Sequence, residues 1–256
     1  MKVAIEAGSG LPVLTYHSID DHSSVISTSR RAFRLHMQFL HSQSFRTVQL
    51  SEVVAILRED RPVPPRSVCL TFDDGYRSIY SEAFPVLREY GFTATLFLVV
   101  RYCGRHNDWP GNLGSLKRAP LLSWNEVKEM NRFGIECGSH TLTHPDLTRI
   151  APRIAEEEIL HSKQEIEEKT GEPSTVFAYP YGRYNSTVQK MVRSHFSGAC
   201  STKLGNVRTG ADPYTMKRID SWFVSDVKRF SKLNTTSLAW YLQARQALRE
   251  LRNLAH

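Results

Sequence analysis

The chain has 256 residues, 41% of them hydrophobic and 23% charged, an ordinary globular composition long enough for one large core. A net charge of +7 and a pI near 9.3 suit an anionic partner such as a cell-wall polymer or a membrane surface, or simply a solvated basic face, while no motif points to RNA or DNA and no nucleic-acid partner is expected. No stretch approaches roughly 18 apolar residues, which excludes a transmembrane helix, and the opening MKVAIEAGSG lacks the apolar run of a signal peptide, so the chain reads as cytoplasmic as it stands, or exported if a leader has been lost.

Short apolar runs alternate with longer amphipathic ones. Strands are expected at 11–17, 67–73, 93–100, 134–140, 175–180, 198–202 and 215–221. Helical patterns at SRRAFRLHMQFLHSQ and LSEVVAILRED separate the first two. YSEAFPVLREYG follows the second, with Gly91 suited to a left-handed cap. SWNEVKEMNRFG opens on a Ser123/Glu126 capping box, and NSTVQKMVRSH on the N-cap Asn185. Between them, IAEEEILHSKQEIEEKTG reads as a mostly charged helix. Seven strands alternating with helices imply a parallel sheet with right-handed crossovers, closed or nearly closed into one α/β barrel over residues 1–225. Residues 226–256 form a basic amphipathic segment, with Tyr241, Ala244, Leu248 and Leu251 on one side and Arg245, Arg249 and Arg252 on another. It is expected to be a helical extension packed on the barrel, with membrane-surface or partner docking as the alternative. Cys69, Cys137 and Cys200 fall in strands, Cys103 stands apart, and no CxxC pair exists, so no cysteine-bound zinc is expected. Nothing in the sequence sets the oligomeric state.

A barrel places its chemistry at the carboxyl ends of its strands. His17 closes the first strand, where a histidine is ordinarily a hydrogen-bonded structural residue. The second strand ends in TFDDGY. Asp73 and Asp74 point in different directions, so one carboxylate can hold a metal while the other handles protons; an Asp-Asp-Gly turn is the bland alternative. The fourth ends in SHTLTH. If the segment turns helically, His140 and His144 share one face and can grip one ion. An H-x-x-x-H pair alone is weak evidence, but with an aspartate at a neighbouring strand end it makes a facial triad with open positions. In FAYPYG, Pro180 and Gly182 bracket Tyr181, whose backbone N–H could serve an oxyanion, or close an ordinary turn.

TFDDGY, SHTLTH and FAYPYG stand in the order and approximate spacing of the polysaccharide deacetylase family, also called the NodB-homology or carbohydrate esterase family 4, and the likeness covers residues 11 to 222. The resemblance implies a deformed (β/α)7 TIM-like barrel and metal-dependent removal of acetyl groups from N-acetylated sugars. It implies Asp73 as catalytic base, Asp74, His140 and His144 as ligands of a divalent ion, most often Zn2+ with Co2+, Ni2+ or Mn2+ as alternatives, and the Tyr181 N–H in the oxyanion hole. The YHSI form of the first strand resembles the branch that includes deacetylases of poly-β-1,6-N-acetylglucosamine.

Three departures from that family stand out. A late Leu-x-Leu-His motif, the source of the general acid in many members, is missing; His161 and His195 read as surface residues, which leaves His17 as the candidate acid. Ala178 occupies the place of the arginine that tethers the base. Arg218, on the last strand and hence near the first across the barrel closure, is either its substitute or a surface residue. Asp220 and Trp222 match loosely the family's Asp–Trp pair, whose tryptophan lines the acetyl pocket. The Gly- and Pro-bearing insert 101–120 should border the cleft, with His106 and Asp108 as candidate substrate contacts or plain loop residues. Two alternatives accompany the deacetylase reading: hydrolysis of a small non-sugar amide, and a catalytically silent carbohydrate-binding barrel.

Overall fold

A computed structural model describes residues 10–22, 24–112 and 116–254. Its strands are β1 (Val13–Tyr16), β2 (Ser18–Ile19), β3 (Ser27–Thr28), β4 (Arg46–Val48), β5 (Ser67–Phe72), β6 (Thr95–Leu98), β7 (Glu136–Ser139), β8 (Val176–Ala178), β9 (Gly198–Leu204) and β10 (Met216–Asp220). The helices are α1 (Arg30–Ser42), α2 (Leu50–Arg58), α3 (Phe84–Tyr90, preceded by a π-helical turn at Ile79–Ala83), α4 (Trp124–Arg132), α5 (Pro152–Thr170), α6 (Ser186–His195), α7 (Val227–Phe230) and α8 (Thr236–Leu254). Parallel pairing runs β1–β10–β9–β8–β7–β6–β5 and returns to β1, closing a seven-stranded barrel. Closure joins the two ends of the chain: Leu14 pairs with Ile219 and Thr15 with Asp220 on one edge of β1, and Val13–Tyr16 pair with Cys69–Phe72 on the other.

All seven expected barrel strands form; β4 and the small β2–β3 pair were not anticipated. In place of two helices in direct succession, Arg46–Val48 pairs with Ser67–Cys69 at the start of β5, and β6 takes over the same strand at Thr71–Phe72. A three-residue strand has too little alternation to stand out between two amphipathic helices. The expected capping box is present, with Ser123 Oγ accepting from the Glu126 N–H and the Glu126 carboxylate accepting from Ser123 N–H, and Gly91 ends α3 at φ 66°.

Period-two alternation decides what enters the barrel. Val13, Cys69, Phe97, Val176, Ala178, Cys200 and Met216 form one buried layer drawn from six strands. Leu14, Tyr16, Leu70, Phe72, Leu96 and Leu98 belong instead to the cluster shared with α1, α3 and α4. Gly138 is required inside: a Cβ there would stand 2.6 Å from the Phe97 ring that fills the same space. All four cysteines are free thiols, and the three in strands are buried as expected.

Candidate active site and metal centre

The inward parity of β1, β5 and β10 continues past Val13, Cys69 and Met216 to His17, Asp73 and Arg218, so three polar side chains meet above an apolar plug. The Asp73 N–H donates to the Tyr16 carbonyl at 2.9 Å, extending the β1–β5 ladder to the carboxyl-end rim of the barrel. Arg218 is 2% exposed and Asp73 3%. Arg218 Nη1 and Nη2 each donate to one Asp73 carboxylate oxygen at 2.7 Å, while Nε donates to the Ser201 carbonyl at 2.9 Å. Burial by itself would push the Asp73 carboxyl up, but the Arg218 guanidinium outweighs it through charge and two hydrogen bonds, with His140 and His17 adding to the pull. The carboxyl is held well below the usual range and stays ionised. Arg218 is therefore a buried tether of Asp73 and not a surface arginine, reaching from β10 across β1 in the role that Ala178 cannot fill.

Asp74, His140 and His144 bring one donor atom each to a common point, all within 4.8 Å of one another. Asp74 Oδ1 lies 3.5 Å from both Nε2 atoms, which are 3.2 Å apart. The spacing of the two histidines works without a helical turn. Thr141 and His144 sit at φ 69° and 61°, and the His144 N–H donates to Thr141 Oγ1, so a tight loop, not the helical turn the spacing would also allow, brings His144 next to His140. The loop is pinned from below by Glu158 of α5, whose carboxylate accepts from Thr143 N–H at 2.9 Å and Thr143 Oγ1 at 2.6 Å.

His17 Nε2 is 4.0 Å from Asp73 Oδ2 and one-fifth exposed, placing the imidazole at the mouth of the cluster. Tyr181, at φ 58°, forms the centre of the turn after β8. Gly182 N–H and Arg183 N–H are spent inside that turn, on the Tyr179 and Pro180 carbonyls. The Tyr181 ring packs edge-on to His144 with centroids 4.6 Å apart and is 39% exposed. Asp220 does not join the cluster; its carboxylate accepts the Trp222 backbone N–H at 2.9 Å and caps the turn Ser221–Val224, leaving Trp222 exposed at the end of β10. Of the insert residues, Asp108 pairs with Arg118 at 3.0 Å on the exposed surface, and the His106 backbone forms an antiparallel bridge with Pro120.

The sequence of residues 60–196, more than half of the chain, matches the family model described as polysaccharide deacetylase. The chain belongs to the polysaccharide deacetylase family. The Bacillus subtilis protein YxkH is 29% identical over 218 residues, spanning 85% of this chain and 73% of its own length. A poly-β-1,6-N-acetyl-D-glucosamine N-deacetylase of Staphylococcus epidermidis is 26% identical over 240 residues, spanning 85% of this chain and 81% of its own. Among solved structures, the Streptococcus pyogenes deacetylase PplD in complex with acetate superposes with a TM-score of 0.73 at 25% identity, over 82% of this chain and 92% of that one. This family's fold is the deformed (β/α)7 barrel seen here.

Family deacetylases are metal-dependent, and the donor set of this member fits a divalent ion. His140 Nδ1 is 2.7 Å from the Ala178 carbonyl, which only accepts, so Nδ1 carries the proton and Nε2 presents a lone pair. His144 Nδ1 is buried with no partner, and burial followed by the neighbouring His140 holds its imidazole well below the ordinary range, hence neutral. Burial pushes the Asp74 carboxyl up from its ordinary value. Ligand atoms bound about 2.1 Å from one ion stand about 3.0–3.4 Å apart at tetrahedral or octahedral angles, close to the spacing found here.

Three supporting residues lacked a sequence signal. Trp109, 3% exposed, packs against His144 with ring centroids 4.9 Å apart and planes tilted by 37°, which brings the insert against that histidine. Asn107 latches that insert, donating to Tyr76 Oη and the Lys117 carbonyl and accepting from Ala119 N–H. Glu158 lay in a helix read as charged surface; its position one turn from Ile154 gave no hint of the loop above it.

Proposed function

We propose that this chain is a metal-dependent N-deacetylase of an N-acetylglucosamine polymer, with the β-1,6-linked polymer named for its relatives as the leading substrate. The observation that carries the reading is the paired arrangement of a tethered, ionised Asp73 beside an Asp74–His140–His144 donor set, a free carboxylate next to a metal site. A silent carbohydrate-binding barrel has no use for such a carboxylate. Asp74, His140 and His144 would hold the ion, which when bound acidifies water and polarises the acyl oxygen.

The chain's own residues divide the remaining work. Asp73 accepts a proton from the attacking water, its two oxygens aimed by the Arg218 fork. This tether sacrifices basicity for orientation and for ionisation at every working pH. The Tyr181 N–H, at the centre of the positive-φ turn, donates to the developing oxyanion. His17, facing Asp73 across 4.0 Å, donates a proton to the departing sugar nitrogen, so that acetate and the free amine separate. Trp222, exposed at the end of β10, lines the approach for the sugar.

Acetate release from β-1,6- and β-1,4-linked N-acetylglucosamine oligomers tests this reading. Activity on the first, lost in Asp73→Asn, supports it. Bound metal with turnover only of small non-sugar amides would replace it, and a protein that binds the oligomers without releasing acetate would be the silent module.

A further inference from the structure

The outer face of α8 is apolar and exposed. Trp240 is 70% exposed, Leu248 50% and Leu251 63%, and Ala244 and Ala247 fall between them on the same arc of the helix. The opposite face fixes this orientation: Leu238 and Leu242 are buried, Gln246 Oε1 accepts the Leu204 N–H at 3.0 Å, and Arg249 Nη1 donates to the Thr202 carbonyl at 3.2 Å. The stripe therefore cannot turn inward without losing those contacts. The segment is basic. Residues 226–256 carry six Lys or Arg against Asp226 and Glu250, so +4 of the chain's +7 resides in this segment. Lys228, Arg229, Lys232 and Arg245 are all exposed.

We propose that α8 docks the enzyme on an anionic lipid surface, with Trp240, Leu248 and Leu251 entering the interfacial region and the flanking cations facing the headgroups. A tryptophan and aliphatic side chains on one side of a basic helix is the composition that lies in a bilayer interface. Charge complementarity selects anionic over neutral lipid, since each basic side chain near such a surface adds to the attraction. A stable interface between copies of the chain buries about 800 Å² on each partner, far more than three side chains alone present.

Co-sedimentation of the full chain with vesicles tests the proposal, using phosphatidylcholine alone or mixed equally with phosphatidylglycerol. Binding is expected to the mixed vesicles only, and to weaken at least ten-fold on raising salt. The triple variant Trp240→Ala/Leu248→Ser/Leu251→Ser should lose binding while keeping its melting temperature and its acetate release from soluble oligomers. Lys228→Gln/Lys232→Gln should weaken binding to mixed vesicles with the apolar stripe intact. Failure of the wild type to bind mixed vesicles, equal binding to both compositions, or unchanged binding of the triple variant would overturn it. So would a dimer in solution that the triple variant converts to monomer.

Discussion

Asp73 and Arg218 show how one residue pair sets both stability and chemistry. Replacing Arg218 by Leu leaves a buried carboxylate without its cation, and should cost about 3–5 kcal/mol in urea unfolding. Adding Asp73→Asn to Arg218→Leu should recover part of that loss, because the orphaned charge is gone; no recovery would mean that Arg218 acts by packing alone. Asp73→Asn by itself should lower kcat by about 10²–10⁴ while leaving metal affinity near the wild-type value, since Asp73 lies outside the donor set. His17→Ala should reduce kcat less than Asp73→Asn does, yet still by at least about ten-fold if it supplies the proton; near-normal turnover would make His17 structural. The inward parity of His17 and Asp73 was readable from strand alternation, and so was that of Arg218. Its burial was not, because an isolated arginine late in a sequence carries no sign of the carboxylate 145 positions earlier that makes burial affordable.

Elements carry the site through contacts that periodicity does not record. Glu158 of α5 ties down the loop between His140 and His144, so Glu158→Ala should weaken metal binding by about ten-fold in a competition titration with little change in melting temperature. A four-residue histidine spacing also fits a helical turn, the condition on which the sequence alone pairs the two rings; two positive-φ residues bring them together by another path. α1 offers a pH test away from the site. His36 is buried, stacked on Phe230 at 3.8 Å, with Nδ1 3.0 Å from Tyr16 Oη. Burial pushes its imidazole down to about 4. The unfolded chain takes up that proton first as pH falls, so stability is complete above about 6.5 and declines towards about 4, by about 3 kcal/mol in total. His36→Phe should flatten that decline in urea midpoints measured across the same window.

At the scale of the molecule, the barrel was legible because its strands are apolar runs of ordinary length with chemistry-bearing residues just beyond them. What escaped was short or non-local: β4, the β2–β3 pair, and the insert whose Trp109 packs on His144 from a loop that periodicity cannot describe. The closed seven-strand ring explains why a histidine near the start of the chain and an arginine near its end serve one carboxylate: β1 stands between β5 and β10. Acetate release tests this convergence most directly. Protein stripped with a chelator should release no acetate from a β-1,6-linked N-acetylglucosamine oligomer, and should recover turnover when a divalent ion is restored. Absence of acetate from every N-acetylglucosamine oligomer by the metal-loaded protein, or full activity after stripping, would contradict it.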